Sequence, residues 1–311
     1  MSRYIPPPLG SGYSPRLVLQ LRKDPEGGDP LAAVVSIPAV VINRHELLVL
    51  VHGFNNHQRE AQEAYQAFRT RARRRVGAAG STAFSDRLAD VFWPGDAKWP
   101  GITDRADFLV YPHAVTTAKD VAPTLAQYLS SKPGLLIVHF VSHSLGGRVV
   151  LETIEHLRNR RGPRIGKVCL MAAAVPTFMM CPGGRLYDAA SEAAFLRVLY
   201  SESDAVLSLT FGPGQTIANG DEGFFPQAVG LRGDIPIQPG KMERERIAGA
   251  GHGDYWGGSA NPASESSGNA VADFFGFDAV ALRGLSSRPL PPKTVVASRP
   301  APPLRSIGDH P

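Results

Sequence analysis

Three residue types in this chain could together perform acyl transfer: Ser144, His252 and an acid lying between them. Ser144 stands in FVSHSLGGRVV, after the apolar run LLIVHFV (135–141) and before a helix-like repeat of Leu145, Val149, Ile154 and Leu157. If a buried strand ends at Val141, only Ser142, His143 and Ser144 remain to reverse the chain, and the side chain at the apex must project above the strand's carboxyl end. Gly146 and Gly147 let strand and helix approach, and the free N–H groups at the helix start face that apex. The Leu145 N–H is thereby placed to donate to a developing oxyanion. The pattern S-x-S-x-G is unspecific alone; its position between a strand and a helix separates it from a serine that merely caps a helix. Ser142 is the rival nucleophile, but it lacks a glycine two residues on and sits too near the strand.

A serine hydroxyl attacks a carbonyl once a base removes its proton, and the base needs an acid to orient it. His45 falls in a polar turn, His139 within a core strand, His156 along the post-strand helix and His310 in the tail. His252, in GAGHGDYW after the strand-like RERIAGA, falls in a glycine-rich loop at a strand end and is the candidate base. The acids between it and the serine include Asp188, Glu192, Glu202, Asp204, Asp221 and Asp234. Asp204 follows the strand-like FLRVLY after a short turn and precedes AVLSL, which sets it at the same sheet end; Glu202 and then Asp188 are the alternatives. A second oxyanion donor is expected at Phe54, because Gly53 frees the chain to turn that N–H toward the serine after the strand ELLVLV. His52 with His57, or His252 with Asp254, could begin a metal site, but neither pair has a third convergent ligand, so neither metal nor cofactor is expected.

These residues need a scaffold, and the hydrophobic pattern supplies one. Strand-like runs occur at 16–21, 32–42 (AAVVSI with AVVI), 46–51, 89–93, 135–141, 167–175, 195–200 and 244–250. Between them, Ala61, Ala64, Tyr65 and Phe68 fall at helical spacing, as do Val121, Leu125, Tyr128 and Leu129. Short continuous apolar strands alternating with amphipathic helices indicate an α/β fold with a mostly parallel sheet and helices on both faces. No internal repeat is present.

With 311 residues, 43% hydrophobic and 20% charged, the chain can bury a sizeable core. The expected layout is a flexible N-terminus (1–15), one α/β domain (16–282) and a Pro-rich, basic, flexible tail (283–311). The formal net charge is +5, but the tail holds Arg283, Arg288, Lys293, Arg299 and Arg305 against Asp309 alone. The body is therefore near neutral, which argues against nucleic-acid binding. Arg69, Arg71, Arg73, Arg74 and Arg75 read as a solvated helix end. Two cysteines are too few for a disulfide framework, and Cys169 reads as core. The first residues lack a stretch of signal-peptide length and no segment approaches the ~20 apolar residues of a membrane span, so a cytoplasmic location is expected.

Four segments, VLVHGFNN (49–56), FVSHSLGGRVV (140–150), SESDAVLS (201–208) and GHGDYW (251–256), resemble in sequence and order the α/β-hydrolase superfamily, and within it bacterial serine esterase and lipase-like proteins. The resemblance covers about residues 16–282. It implies an eight-stranded sheet with a short cap after strand 6, with Ser144 as nucleophile, Asp204 as acid, His252 as base, and the Phe54 and Leu145 amides as oxyanion hole. One departure is that Ser142 stands where the elbow usually has its first glycine. The implied substrate is a carboxylic ester or a lipid-like acyl ester. The cap position falls on 176–194, where Phe178, Met179 and Met180 could line an acyl pocket. The Gly- and Pro-rich 211–240 could form a rim, with Phe224 and Phe225 as its apolar anchors. A reading of another class is a binding or scaffold protein that recruits partners through the C-terminal tail.

Overall fold

The computed structural model describes residues 13, 15, 17–26, 29–38, 45–54, 56–96, 107–218 and 222–277. The run at 39–42, Asp221 and the tail at 283–311 lie outside the described residues. The strands are β1 (Val18–Arg22), β2 (Pro30–Ile37), β3 (Glu46–Val51), β4 (Leu88–Phe92), β5 (Ile137–His143), β6 (Arg164–Met171), β7 (Phe195–Tyr200) and β8 (Met242–Arg246). Among the described residues they form one sheet in the order β2-β1-β4-β3-β5-β6-β7-β8. Only β1 and β2 pair antiparallel; every other neighbouring pair is parallel.

The burial of each strand follows from its place. β1, β4 and β5 are buried along their whole length, as strands covered on both faces must be; they are mainly apolar, and their polar members Gln20, Arg22, Asp90, His139, Ser142 and His143 are buried with them. The edge strand β8, MERER, instead alternates between sheltered and exposed positions. Its charges keep an open sheet edge from pairing with other chains.

The helices are α1 (Gln58–Ser85), α2 (Asp107–Ser130), α3 (Gly146–Arg158), α4 (Tyr187–Glu192), α5 (Ala205–Leu209), α6 (Phe211–Ile217), α7 (Val229–Arg232) and α8 (Pro262–Phe275). The period-2 alternation along β5 sorts them to two faces. His139 meets Phe275 of α8, and His143 meets Trp256, which packs on Phe68 of α1. Ser142 points the other way, toward Gly147 of α3. Thus α1 and α8 cover one face, and α3, packed on α2, covers the other. Ala61, Tyr65 and Phe68 are buried as their spacing predicts, and so are Val121, Leu125 and Leu129. Among the described residues no helix is long and apolar enough to cross a membrane.

Several boundaries depart from the sequence pattern. β5 runs two residues past Val141, through Ser142 and His143, because both polar residues stay in ladder register with β6. β6 stops at Met171 instead of Val175, since Ala172 takes a left-handed backbone (φ 45°) that no strand continues through. The arginine cluster on α1 is not simply solvated. Arg69 is buried against Asp90, which also receives the Tyr13 hydroxyl, while Arg71 bonds the Gly257 and Ser264 carbonyls and Arg75 pairs with Asp273. These arginines bind the helix to β4 and to α8.

Three histidines on the sheet are buried and neutral. Burial, with Arg22 adding to it, lowers the His52 pKa to about 4. Burial with Lys167 lowers His139 to about 3, and burial with His252 lowers His143 to about 3. A histidine whose folded pKa lies below its unfolded value of 6.5 contributes stability that is complete above pH 6.5 and is lost as pH falls toward the folded pKa. Each such group gives a slope of roughly a kcal/mol per pH unit in that window. Denaturant midpoints should therefore be flat between pH 7 and 8 and fall steeply below about pH 6. A flat profile down to pH 5 would show that these imidazoles are not held neutral.

Candidate active site

Ser144 lies at the tip of β5 with its backbone at φ 52°, a left-handed conformation that side chains other than those of Gly, Asn and Asp seldom adopt. Hydrogen bonds surround it: its N–H donates to the Met171 carbonyl (2.9 Å), and its own carbonyl accepts from Gly147 (3.0 Å) and Ala174 (3.1 Å). α3 then starts at Gly146. A Cβ on Gly146 would stand 2.3 Å from the His52 carbonyl oxygen, so no other residue fits between the elbow and the end of β3. Gly53 is equally tight, since a Cβ there would lie 2.8 Å from that of Ser144.

The side chains of Ser144, His252 and Asp204 meet. The Ser144 hydroxyl donates to His252 Nε2 (2.9 Å), and His252 Nδ1–H donates to Asp204 Oδ2 (2.8 Å). A carboxylate only accepts, which fixes this tautomer of the ring. His252 begins a short 3-10 turn, His252–Asp254, whose Asp254 accepts from the Gly251 N–H and from Ser259 and Asn261. Asp204 is fully buried at the start of α5, where its other oxygen accepts from the Leu207 N–H (3.0 Å). The alternative acids point elsewhere: Glu202 pairs with Arg246 and Asp188 with Arg158, both at the surface. Ser142 is fully buried, and its hydroxyl has no partner among the described residues.

The backbone N–H groups of Leu145 and Phe54 donate to no protein acceptor among the described residues. The Phe54 loop is braced by His52, whose Nδ1–H donates to the Gly53 carbonyl (2.9 Å) while Nε2 accepts from the Trp93 N–H (3.3 Å). On its far side Arg22 donates to the Asn56 carbonyl and to Asp96, which also takes His57 Nδ1 (2.6 Å). Among the described residues no three His, Cys, Asp or Glu side chains converge as metal ligands.

The sequence model of one family, described as an alpha/beta hydrolase of unknown function (DUF900), matches residues 39–211, more than half of the chain. The chain belongs to this family. The matched stretch carries Phe54, the elbow and Asp204, and ends before His252. No curated protein matches the chain. Among solved structures, carboxyl esterase 2 of the mycorrhizal fungus Tuber melanosporum is similar, with 13% identity, a TM-score of 0.39 and coverage of 80% of this chain and 78% of that one. An esterase of Pyrobaculum calidifontis has 15% identity, a TM-score of 0.40 and coverage of 74% and 75%. Est1E of Butyrivibrio proteoclasticus, solved with ferulic acid, has 12% identity, a TM-score of 0.37 and coverage of 75% and 88%. The matched family and the sheet itself, and not likenesses this low, carry the assignment.

In this α/β hydrolase the expected pocket residues divide. Met179 and Met180 are buried in the core, the Met179 sulfur against Arg148, whereas Phe178 is 46% exposed. The two methionines sit in a 3-10 turn (Thr177–Met180) that packs beneath α4, so their apolar character serves the core. Phe224 and Phe225 do not anchor a rim inward either; they are 82% and 59% exposed. The apolar wall next to Phe54 is built instead by Tyr111 of α2, whose ring packs edge-on against Phe54 (5.4 Å) and against Phe211 of α6 (6.3 Å). No sequence signal singles out Tyr111, because its neighbours come from segments more than fifty residues away on either side.

His143 is the second residue that sequence patterning passes over. Its Nε2–H donates to the His252 carbonyl (2.7 Å), and its ring centroid is 4.8 Å from that of His252. The bond ties the His252 loop to the residue beside Ser144. A His143→Phe variant keeps a ring and loses the donor, so it leaves a buried carbonyl unsatisfied, an effect worth about 1–3 kcal/mol. The rate at which an organophosphonate modifies Ser144 should fall roughly tenfold in His143→Phe and recover in His143→Gln, with melting temperatures compared as a control for folding. An unchanged rate in His143→Phe would mean that the bond positions nothing.

Proposed function

We propose that this chain is a serine hydrolase that cleaves carboxylic esters or lipid-like acyl esters through an acyl-enzyme on Ser144. The observation that carries the reading is the unbroken relay from the Ser144 hydroxyl through His252 to Asp204, set at a strained apex beside two amides that have no protein acceptor among the described residues. In the first half-reaction Ser144 Oγ bonds to the substrate carbonyl carbon while His252 Nε2 takes its proton. Asp204 stabilises the resulting imidazolium, and the Phe54 and Leu145 N–H groups receive the negative oxygen, each donor worth about 3 kcal/mol in sites of this kind. His252 returns the proton to the departing alkoxide, leaving the acyl ester on Ser144. Water then bonds to the acyl carbon as His252 takes its proton, the Ser144 Oγ–acyl bond breaks, His252 returns the proton to Oγ, and the acid product leaves. No step calls for a metal or an organic cofactor.

The preference for small or lipid-like esters is supported by the small size of the cap among the described residues. The segment after β6 contributes only the 3-10 turn at Thr177–Met180 and the six-residue α4. Phe54, the part-exposed member of its cluster with buried Tyr111 and Phe211, offers the acyl group an apolar contact with a packed backing.

A fluorophosphonate probe should label the wild-type protein at Ser144 and fail to label Ser144→Ala. His252→Ala should lose most labelling, and turnover of p-nitrophenyl esters should drop by about four orders of magnitude in Asp204→Asn. Labelling that persists in Ser144→Ala, or a wild-type protein that ignores both probe and esters, would sink the proposal.

A further inference from the structure

Two segments beside the candidate site carry no charge at all: 205–217 and 223–231 contain no Asp, Glu, Lys or Arg. They nonetheless expose large apolar side chains. Val206 and Leu209 stand out from α5, Ile217 from the end of α6, and Phe224 and Phe225 from the following loop, with Phe178 of the cap beside them. Contacts join the last of these into one face. A Cβ on Gly223 would touch the Phe178 ring (2.8 Å), one on Gly212 would meet the Phe225 ring (3.6 Å), and the Phe224 and Phe225 rings are 4.9 Å apart. Phe225 is one of three non-glycine residues at positive φ among the described residues (46°), and its N–H is bonded to Thr216 Oγ1 (2.7 Å). The loop is thus fixed by α6 in a strained turn while both rings remain in water.

The face also connects inward. α5 begins directly after Asp204, and α6 carries Phe211, which packs on Tyr111 and through it on Phe54. An apolar path therefore runs from the loop beside Ser144 to the exposed aromatic pair.

We propose that this face docks onto a neutral lipid–water surface, so that ester-bearing amphiphiles reach Ser144 from the layer it rests on. Protruding phenylalanine and leucine side chains without hydrogen-bonding groups suit a fluid acyl layer, which deforms around them. A rigid protein partner would need matching hollows, and stable protein interfaces rim their apolar centre with charged groups that these two segments lack. The absence of charge also favours zwitterionic over anionic lipid. The inference rests on the proposed hydrolase for what happens to the amphiphile, while docking itself is measurable without turnover.

The test uses full-length Ser144→Ala protein and phosphatidylcholine vesicles, with co-sedimentation as the readout. The protein should sediment with the vesicles, and Phe224→Ser with Phe225→Gly should cut the partition coefficient about tenfold or more. Leu209→Ser on α5 should weaken it too. Leu136→Ser, at an equally exposed apolar position beyond the opposite end of β5, should not. On vesicles containing phosphatidylglycerol, which the basic residues of 283–311 attract independently of this face, the double variant should lose binding by no larger a factor. Protein that stays in the supernatant, or a double variant that binds phosphatidylcholine like its parent at an unchanged melting temperature, would each overturn the proposal. So would a dimer in gel filtration that the double variant dissolves, since the face would then be a contact between copies. Failure of the fluorophosphonate experiment would sink the hydrolase and leave vesicle binding standing, so the two failures are distinguishable.

Discussion

The close approach of two chain segments, the end of β3 and the start of α3, is the constraint on which the rest of the site depends. Gly146 lies so near the His52 carbonyl that any side chain would collide with backbone, and Gly53 lies just as near Ser144. A left-handed serine costs about 1–2 kcal/mol relative to a relaxed backbone. Three backbone hydrogen bonds to Met171, Gly147 and Ala174 offset that strain and lock the apex against β6. The nucleophile candidate and the Phe54 and Leu145 amides therefore arise from one packing event and cannot be moved separately.

Polar pins hold this arrangement from below. His52 joins the Gly53 carbonyl to the Trp93 amide, and His143 joins the elbow to the His252 carbonyl, each as a neutral ring with its tautomer set by its acceptor. Protonation of either would place a charge in a buried site, which desolvation opposes, with Arg22 adding to it at His52 and His252 at His143. On the other face, Arg148 of α3 is fully buried and donates to both Glu152 and Glu222, while Arg185 and Lys119 complete the network. Flanking arginines hold the Glu152 and Glu222 carboxyls below their usual range despite burial. These charges tie the elbow helix to the cap and to the loop that precedes Phe224. Such a network adds little net stability, because desolvation offsets the attraction, but removing one member would leave an unpaired buried charge.

Much of this was legible before any coordinates. Continuous apolar runs such as ELLVLV and FLRVLY announced buried parallel strands, and the helical stripes of α1 and α2 announced the layers that cover them. Ser144, Asp204 and His252 were recognisable because each follows a strand-like run, and parallel strands deliver their carboxyl ends to one edge of a sheet. Glu202 competed with Asp204 on position alone; the bond of buried Asp204 to His252 and the exposed pairing of Glu202 with Arg246 separate the two.

The sequence by itself determined the alternation of strands and helices, the cramped elbow and the end of the sheet where polar residues gather, because these depend on local periodicity and on residue size. Tertiary structure decided the rest. It carried β5 through Ser142 and His143, buried Arg69 and the methionines of the cap, and turned Phe224 and Phe225 outward. It also brought His143 to a carbonyl 109 residues away and Tyr111 to Phe54. Burial and long-range partnership are properties of what packs opposite a residue, and that neighbour is written in a distant part of the chain.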